Sequence, residues 1–164
     1  MKRIPLRNLT LAAMIAALSV ALNALSASLG LALGPFELRF SEALCILPVF
    51  TPAAVPGLFV GCLVSNLMLL AQGGNLWDVI FGSLATLLGA MGTYHWREKK
   101  LLPYLSPIFW NTLIVPPILY FAYGFQDAAL PLLFLSFFCG EAINAGILAA
   151  ILKKSLLPFR KYLQ

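Results

Sequence analysis

The sequence predicts an all-α integral membrane protein: a six-helix transmembrane bundle forming a single domain over residues 1–164, with both termini on the cytoplasmic side (N-in/C-in). Three observations predict it. Hydrophobic residues make up 61% of the chain and charged residues only 10%, where a soluble domain carries about 25% charged residues. The apolar residues fall in runs of spanning length, more than a water-soluble core of this size would bury, so a bilayer must solvate the rest. The Lys and Arg residues stand in small clusters between those runs, as juxtamembrane anchors do. That clustering excludes nucleic acid as the reason for the net charge of +5.

Clear spanning runs lie at roughly 8–29, 76–95, 103–123 and 130–152. The chain opens Met1-Lys2-Arg3 and passes straight into the first run without the short core and cleavage signature of a removable signal, so helix 1 is read as retained. The run from Ala43 to Ala71 needs a decision, because a single helix of that length exceeds about 40 Å against a hydrocarbon core of about 30 Å. It also contains Pro48, Pro52 and Pro56, which interrupt helices.

Charge decides the count. If the run is two segments, Lys2, Arg3, Arg7, Arg97, Lys99, Lys100, Lys153, Lys154, Arg160 and Lys161 share the cytoplasmic side and only Arg39 falls outside. If it is one span, the 97–100 cluster lands opposite the N-terminus. The two-segment reading gives six helices, with a turn at Phe50-Thr51-Pro52 and a second helix (roughly 40–50) too short to cross alone. Short helices at membrane depth line cavities or ligand sites, which predicts an outer-half, cup-like cavity beside helix 2. Glu37, Glu42, Asp78 and Asp127 lie on or near the outer side, Glu98 on the cytoplasmic side and Glu141 within helix 6. The outer loops 30–40, 72–77 and 124–129 are turn-forming and are candidate gates over a site.

Glu141 carries most information, since an ionisable group inside a spanning helix is expensive and defaults to function. Asn144 follows three residues later on the same helical face; together they suit the amine or amide edge of a ligand. The plainer alternative is a polar clamp between helices. Arg39 and Glu42 form either a local ion pair at the start of helix 2 or, with Phe40 and Ser41, the lining of the cavity mouth. Asp78 follows Asn75 at the start of helix 4 as a capping arrangement would, with Trp77 as an interfacial anchor. Trp110 next to Asn111, with Asn66 on helix 3, suits a flat heterocycle by stacking and edge hydrogen bonds; for Trp110 the alternative is packing.

Cys45, Cys62 and Cys139 lie in apolar segments without metal-binding spacing and read as packing residues. His95 reads as a helix-end residue, and no metal or other cofactor is expected. A phosphate-binding loop is missing, as are a Ser/His/Asp set and an HExxH motif, so ATP hydrolysis by this chain is not expected and an enzyme is disfavoured. Helix 1 carries Ala12, Ala13, Ala16, Ala17 and Ala21. Small residues four apart admit a close neighbour, either within the bundle or on a partner.

The stretch from Arg39 to Asn66 (RFSEALCILPVFTPAAVPGLFVGCLVSN) resembles the QueT family, the substrate-binding S components of energy-coupling factor (ECF) transporters. Residues 78–89 (DVIFGSLATLLG) resemble its fourth helix, and 138–144 (FCGEAIN) fit its sixth. The resemblance implies an ECF S-component-like bundle in the cell membrane. Such a bundle binds a queuosine precursor, a deazaguanine base, and docks on a transmembrane T component with two cytoplasmic ATPases of the ABC type. The family's AxxxA motif matches both Ala12/Ala16 and Ala13/Ala17. The candidate substrate residues are Glu141, Asn144, Glu42, Arg39, Phe40, Asp78, Trp110, Asn111 and Asn66, and these come from the physical reading. Competing readings are a solitary facilitator, an S component for another vitamin-like heterocycle, and a small membrane enzyme.

Overall fold

A computed structural model of the chain describes residues 6–31, 38–122, 124 and 130–160. Lys2, Arg3, Glu37, Asp127 and Lys161, and most of the loops 30–40 and 124–129, lie outside the described residues. Within them the chain is helical, without strands: α1 (Leu6–Ser28), α2 (Phe40–Val49), α3 (Ala54–Leu70), α4 (76–95), α5 (Leu102–Ala122) and α6 (Leu130–Phe159). Three of these, α1, α5 and α6, are long and apolar enough to cross a bilayer. The others are shorter or irregular, and each irregularity has a local cause.

α2 is a 3-10 helix of ten residues with Pro48 inside it. Its bonds run between residues three apart, as from the Glu42 N–H to the Arg39 carbonyl at 3.0 Å. That winding rises about 2.0 Å per residue and carries ten residues deeper than an α-helix would. Ser41, Glu42 and every residue from Leu44 to Pro48 are buried, and the helix packs against the other five. α2 is therefore the centre of the bundle, and the short-helix expectation for 40–50 agrees with it.

The surrounding helices close on it through small residues. α1 and α3 approach so tightly that a Cβ on Gly57 would lie 2.7 Å from the Ala12 carbonyl, and one on Gly61 would lie 2.9 Å from that of Ala16. Only glycine fits there, which is how small-residue pairs bring helices together. Between α4 and α5 the device is a hydrogen bond. Pro107 has no N–H to offer the carbonyl of Pro103 one turn back, and the Thr93 hydroxyl donates to that carbonyl instead, at 2.8 Å. Ser106 returns a bond to the Gly89 carbonyl at 3.0 Å.

Two helices contain π turns, Asp78–Gly82 in α4 and Ala142–Leu148 in α6. A π turn widens the helix by one residue and shifts its carbonyls away from their usual partners. α6 also runs beyond the expected end at 152, to Phe159. Lys153 and Lys154 do not stop it, because lysine is a good helix former, and Lys153 lies over the Tyr104 ring. At one end of the bundle the 96–101 turn and the last turns of α6 bring Arg97, Lys99, Lys100, Lys153 and Arg160 together. The other end holds the start of α2.

Candidate functional site

The first turn of α2 places a buried cation and a buried carboxylate three residues apart. Arg39 Nη1 donates to Asn66 Oδ1 at 3.3 Å. Asn66 Nδ2 in turn donates to the Asp78 carbonyl at 2.9 Å, with Cys62 Sγ and Ser83 Oγ at 3.5 Å. That carbonyl stands at the start of the π turn of α4. This wing ties α2, α3 and α4 together.

The second wing runs the other way. Asn111 Nδ2, from α5, donates to Glu42 Oε2 at 3.1 Å, and the Cys45 thiol donates to the same oxygen at 3.2 Å. Residues three apart on a 3-10 helix eclipse one another, which puts Cys45 directly behind Glu42. α6 packs against α2 as well, with Glu141 buried at the head of its π turn. α1 completes the ring: Ser41 Oγ donates to Asn23 Oδ1 at 2.7 Å, and the Phe40 N–H donates to Ser26 Oγ at 3.0 Å.

The residues of this polar cluster are buried. Arg39 is 8% exposed, Asp78 6%, Glu42 5%, Glu141 4%, and Asn66 and Asn144 1%. Among the described residues Arg39 bonds Asn66 and Glu42 bonds Asn111, so these four candidate side chains engage one another; most of the loops expected to gate a cavity lie outside the described residues. A crevice of about 190 Å³ between α1 and α3, with Asn23 and Ser65 in its wall, flanks the cluster.

Asn144 behaves differently from its neighbours. It is fully buried in the π turn of α6, and neither Nδ2 nor Oδ1 has a hydrogen-bond partner. An orphaned buried polar group costs about 1–3 kcal/mol. A buried amide lacking both donor and acceptor partners is rare enough to need an explanation, and π turns gather at functional sites. The Thr112 hydroxyl on α5 is also buried without a partner.

A family model described as the QueT transporter matches residues 9–158. The chain belongs to the QueT transporter family. Comparison with the curated proteins and with the solved structures found no match. QueT is a family of transporters, not of enzymes, and membership together with three long apolar helices places the chain in a membrane.

Of the candidate QueT site residues, the structure gathers Arg39, Glu42, Asn66, Asp78, Asn111, Glu141 and Asn144 into the buried interior. Phe40 is half-buried at its rim. Trp110 is half-buried on α5 and meets Phe109 edge-on at 5.4 Å, while Phe109 is 58% exposed. The cap at the start of α4 comes from Asn75, whose Oδ1 accepts the Trp77 N–H at 3.1 Å, and Asp78 turns inward. Trp77 stacks on Phe81 at 5.6 Å at the exposed surface, as an anchor would. On α1, Ala12 and Ala16 are half-buried against α3, and Ala13 and Ala17 are exposed. Among the described residues no three His, Cys, Asp or Glu gather as a metal site.

Sequence reasoning missed Asn23 and Ser26, which anchor α1 to the start of α2. The signal was available, since an amide inside an apolar run calls for a partner. It also missed Ser83 and Thr86 of α4, which face Cys62 and Asn66 of α3.

Proposed function

We propose that this chain is the substrate-specific (S) component of an ECF-type ABC importer, capturing a queuosine precursor, a deazaguanine base, from outside the cell for ATP-driven uptake. Asn144 is the observation that carries the substrate site. Its amide has a donor and an acceptor available at a buried position, one turn from Glu141 and on the same helix face. A deazaguanine edge presents the complementary pair, amide carbonyl and amine or amide N–H. Glu141 and Glu42 suit the edge donors, Asn144 and Asn111 the carbonyl. The buried charged residues described are Arg39, Glu42, Asp78 and Glu141, an excess of carboxylates that favours a base carrying a cationic aminomethyl group. Trp110, Phe40 and Asp78 complete the proposed contacts, while Asn66 holds Arg39 in place.

In this reading all six helices sit in the cell membrane, α2 as the short inner one, with both termini cytoplasmic according to the Lys and Arg distribution. α1 supplies the docking face for the T component, which works with two cytoplasmic ATPases. α1 is the least covered of the long helices, 22% buried over its most apolar window against 44% for α5 and 39% for α6. Ala13 and Ala17 lie on its open side. Beside them a groove of about 440 Å³ runs along Ala12, Ala16, Pro56 and Gly57.

Uptake of a labelled deazaguanine base tests the proposal. The chain in liposomes should bind saturably without transporting or converting the base, and uptake should require ATP, the T component and both ATPases. Uptake by the chain alone would make it a solitary facilitator, and a changed product would make it an enzyme. Binding of a different heterocycle but no deazaguanine would reassign the substrate.

A further inference from the structure

The basic end of the bundle encloses a cavity of about 590 Å³ that the substrate reading does not use. Three chain segments build it. The α2–α3 turn contributes Phe50, the α4–α5 turn contributes Arg97, Lys99 and Lys100, and the end of α6 contributes Lys153 and Arg160. Among the described residues Glu98 is the single carboxylate in its wall. Aromatic faces hold two of the cations: Arg97 lies 4.6 Å from the Tyr94 ring centre and Lys153 lies 5.1 Å from that of Tyr104. A ring face orients a cation without neutralising it, so the positive charge stays concentrated.

The wall is apolar elsewhere, at Val49, Phe50, Pro52 and Leu157. Leu157 is 51% exposed, and Leu101 and Phe159, the chain neighbours of Lys100 and Arg160, are 70% and 57% exposed. A cationic hollow edged by bare aliphatic and aromatic surface matches a molecule with phosphates at one end and acyl chains at the other. Basic pockets between membrane helices recognise anionic head groups in this way. A free phosphate has no use for the apolar wall, and five cations exceed what a single phosphodiester requires.

We propose that this cavity is a binding site for the phosphates of a dianionic phospholipid, one that carries two phosphate groups. The proposal is independent of what the outer half of the bundle binds.

Native mass spectrometry of the detergent-purified chain, with diphosphatidylglycerol and phosphatidylcholine in equal amounts, tests it. The two-phosphate lipid should be retained at least tenfold over the zwitterionic one. Lys153→Gln combined with Arg160→Gln should reduce that retention about tenfold, while Lys154→Gln, outside the cavity wall, should leave it unchanged. Lys153→Arg should keep it, and an unchanged unfolding temperature shows that the double variant is folded. Inorganic pyrophosphate separates the sources. If it binds as tightly as the lipid and displaces it, the site is one for free phosphate and the lipid assignment is wrong. If the double variant retains the lipid as the wild type does, or Lys154→Gln loses as much, the site itself is wrong.

Discussion

Asn111 on α5 and Glu42 on α2 are joined by a hydrogen bond of 3.1 Å across 69 positions of sequence, and both side chains are buried. The amide is the strong neutral donor to that carboxylate, with the weaker Cys45 thiol beside it. Asn111→Leu leaves Glu42 buried with the thiol alone. A lost hydrogen bond to a charged group costs about 1.5–3 kcal/mol, so a clear fall in unfolding temperature in detergent is expected. Adding Glu42→Leu should restore much of the loss, since removing both partners of a buried pair is milder than removing one. A double variant less stable than either single one would contradict this.

Glu141 is 4% exposed on the inward face of α6. Glu141→Gln keeps its shape and removes the charge that a cationic or N–H-bearing ligand edge would meet. Ligand affinity should fall at least tenfold, about 1.4 kcal/mol, with the protein still folded. Unchanged affinity in a titration would leave Glu141 as a clamp between helices.

The α1–α3 contact depends on Gly61. A Cβ there would lie 2.7 Å from Ser19 Cβ and 2.9 Å from the Ala16 carbonyl, and α1 backbone cannot move aside as a flexible side chain can. Gly61→Ala should therefore destabilise the bundle by about 1–3 kcal/mol. Denaturant or thermal unfolding reads this directly, and a neutral result would show that α1 shifts freely.

The two alanine registers on α1 should separate in function. Ala13→Leu with Ala17→Leu enlarges the open face and should impair uptake in the assembled transporter while leaving ligand binding intact. Ala12→Leu with Ala16→Leu pushes against α3 and should lower stability, binding and uptake together. Equal effects of the two pairs in parallel binding and uptake assays would remove the docking role from the exposed face.

Helix positions were legible because apolar runs, prolines and glycines punctuate the chain at the spacing a bilayer imposes. The short α2 was legible through charge: only a break near Phe50-Thr51-Pro52 keeps Arg97, Lys99 and Lys100 on the side of Arg7. That Glu141 and Asn144 both turn inward followed from helical spacing. The 3-10 winding of α2 and the π turns of α4 and α6 were not legible, since they differ from α-helix by one residue in hydrogen-bond register and leave no mark in composition. The hydrogen bonding between helices was hidden for a related reason. Ser41 meets Asn23, and Glu42 meets Asn111, only after separate helices pack, and periodicity within one helix says nothing about a partner on another.

The central claim is that the free amide of Asn144 receives the ligand, and a binding isotherm of the purified chain with a deazaguanine base tests it most directly. Neither amide atom of Asn144 bonds to the protein, so Asn144→Ala should leave the unfolding temperature unchanged or slightly raised. Saturable binding by the wild type and an affinity at least tenfold weaker in Asn144→Ala is the predicted result. Wild-type affinity in the variant, or no saturable binding of a deazaguanine base by either protein, would contradict it.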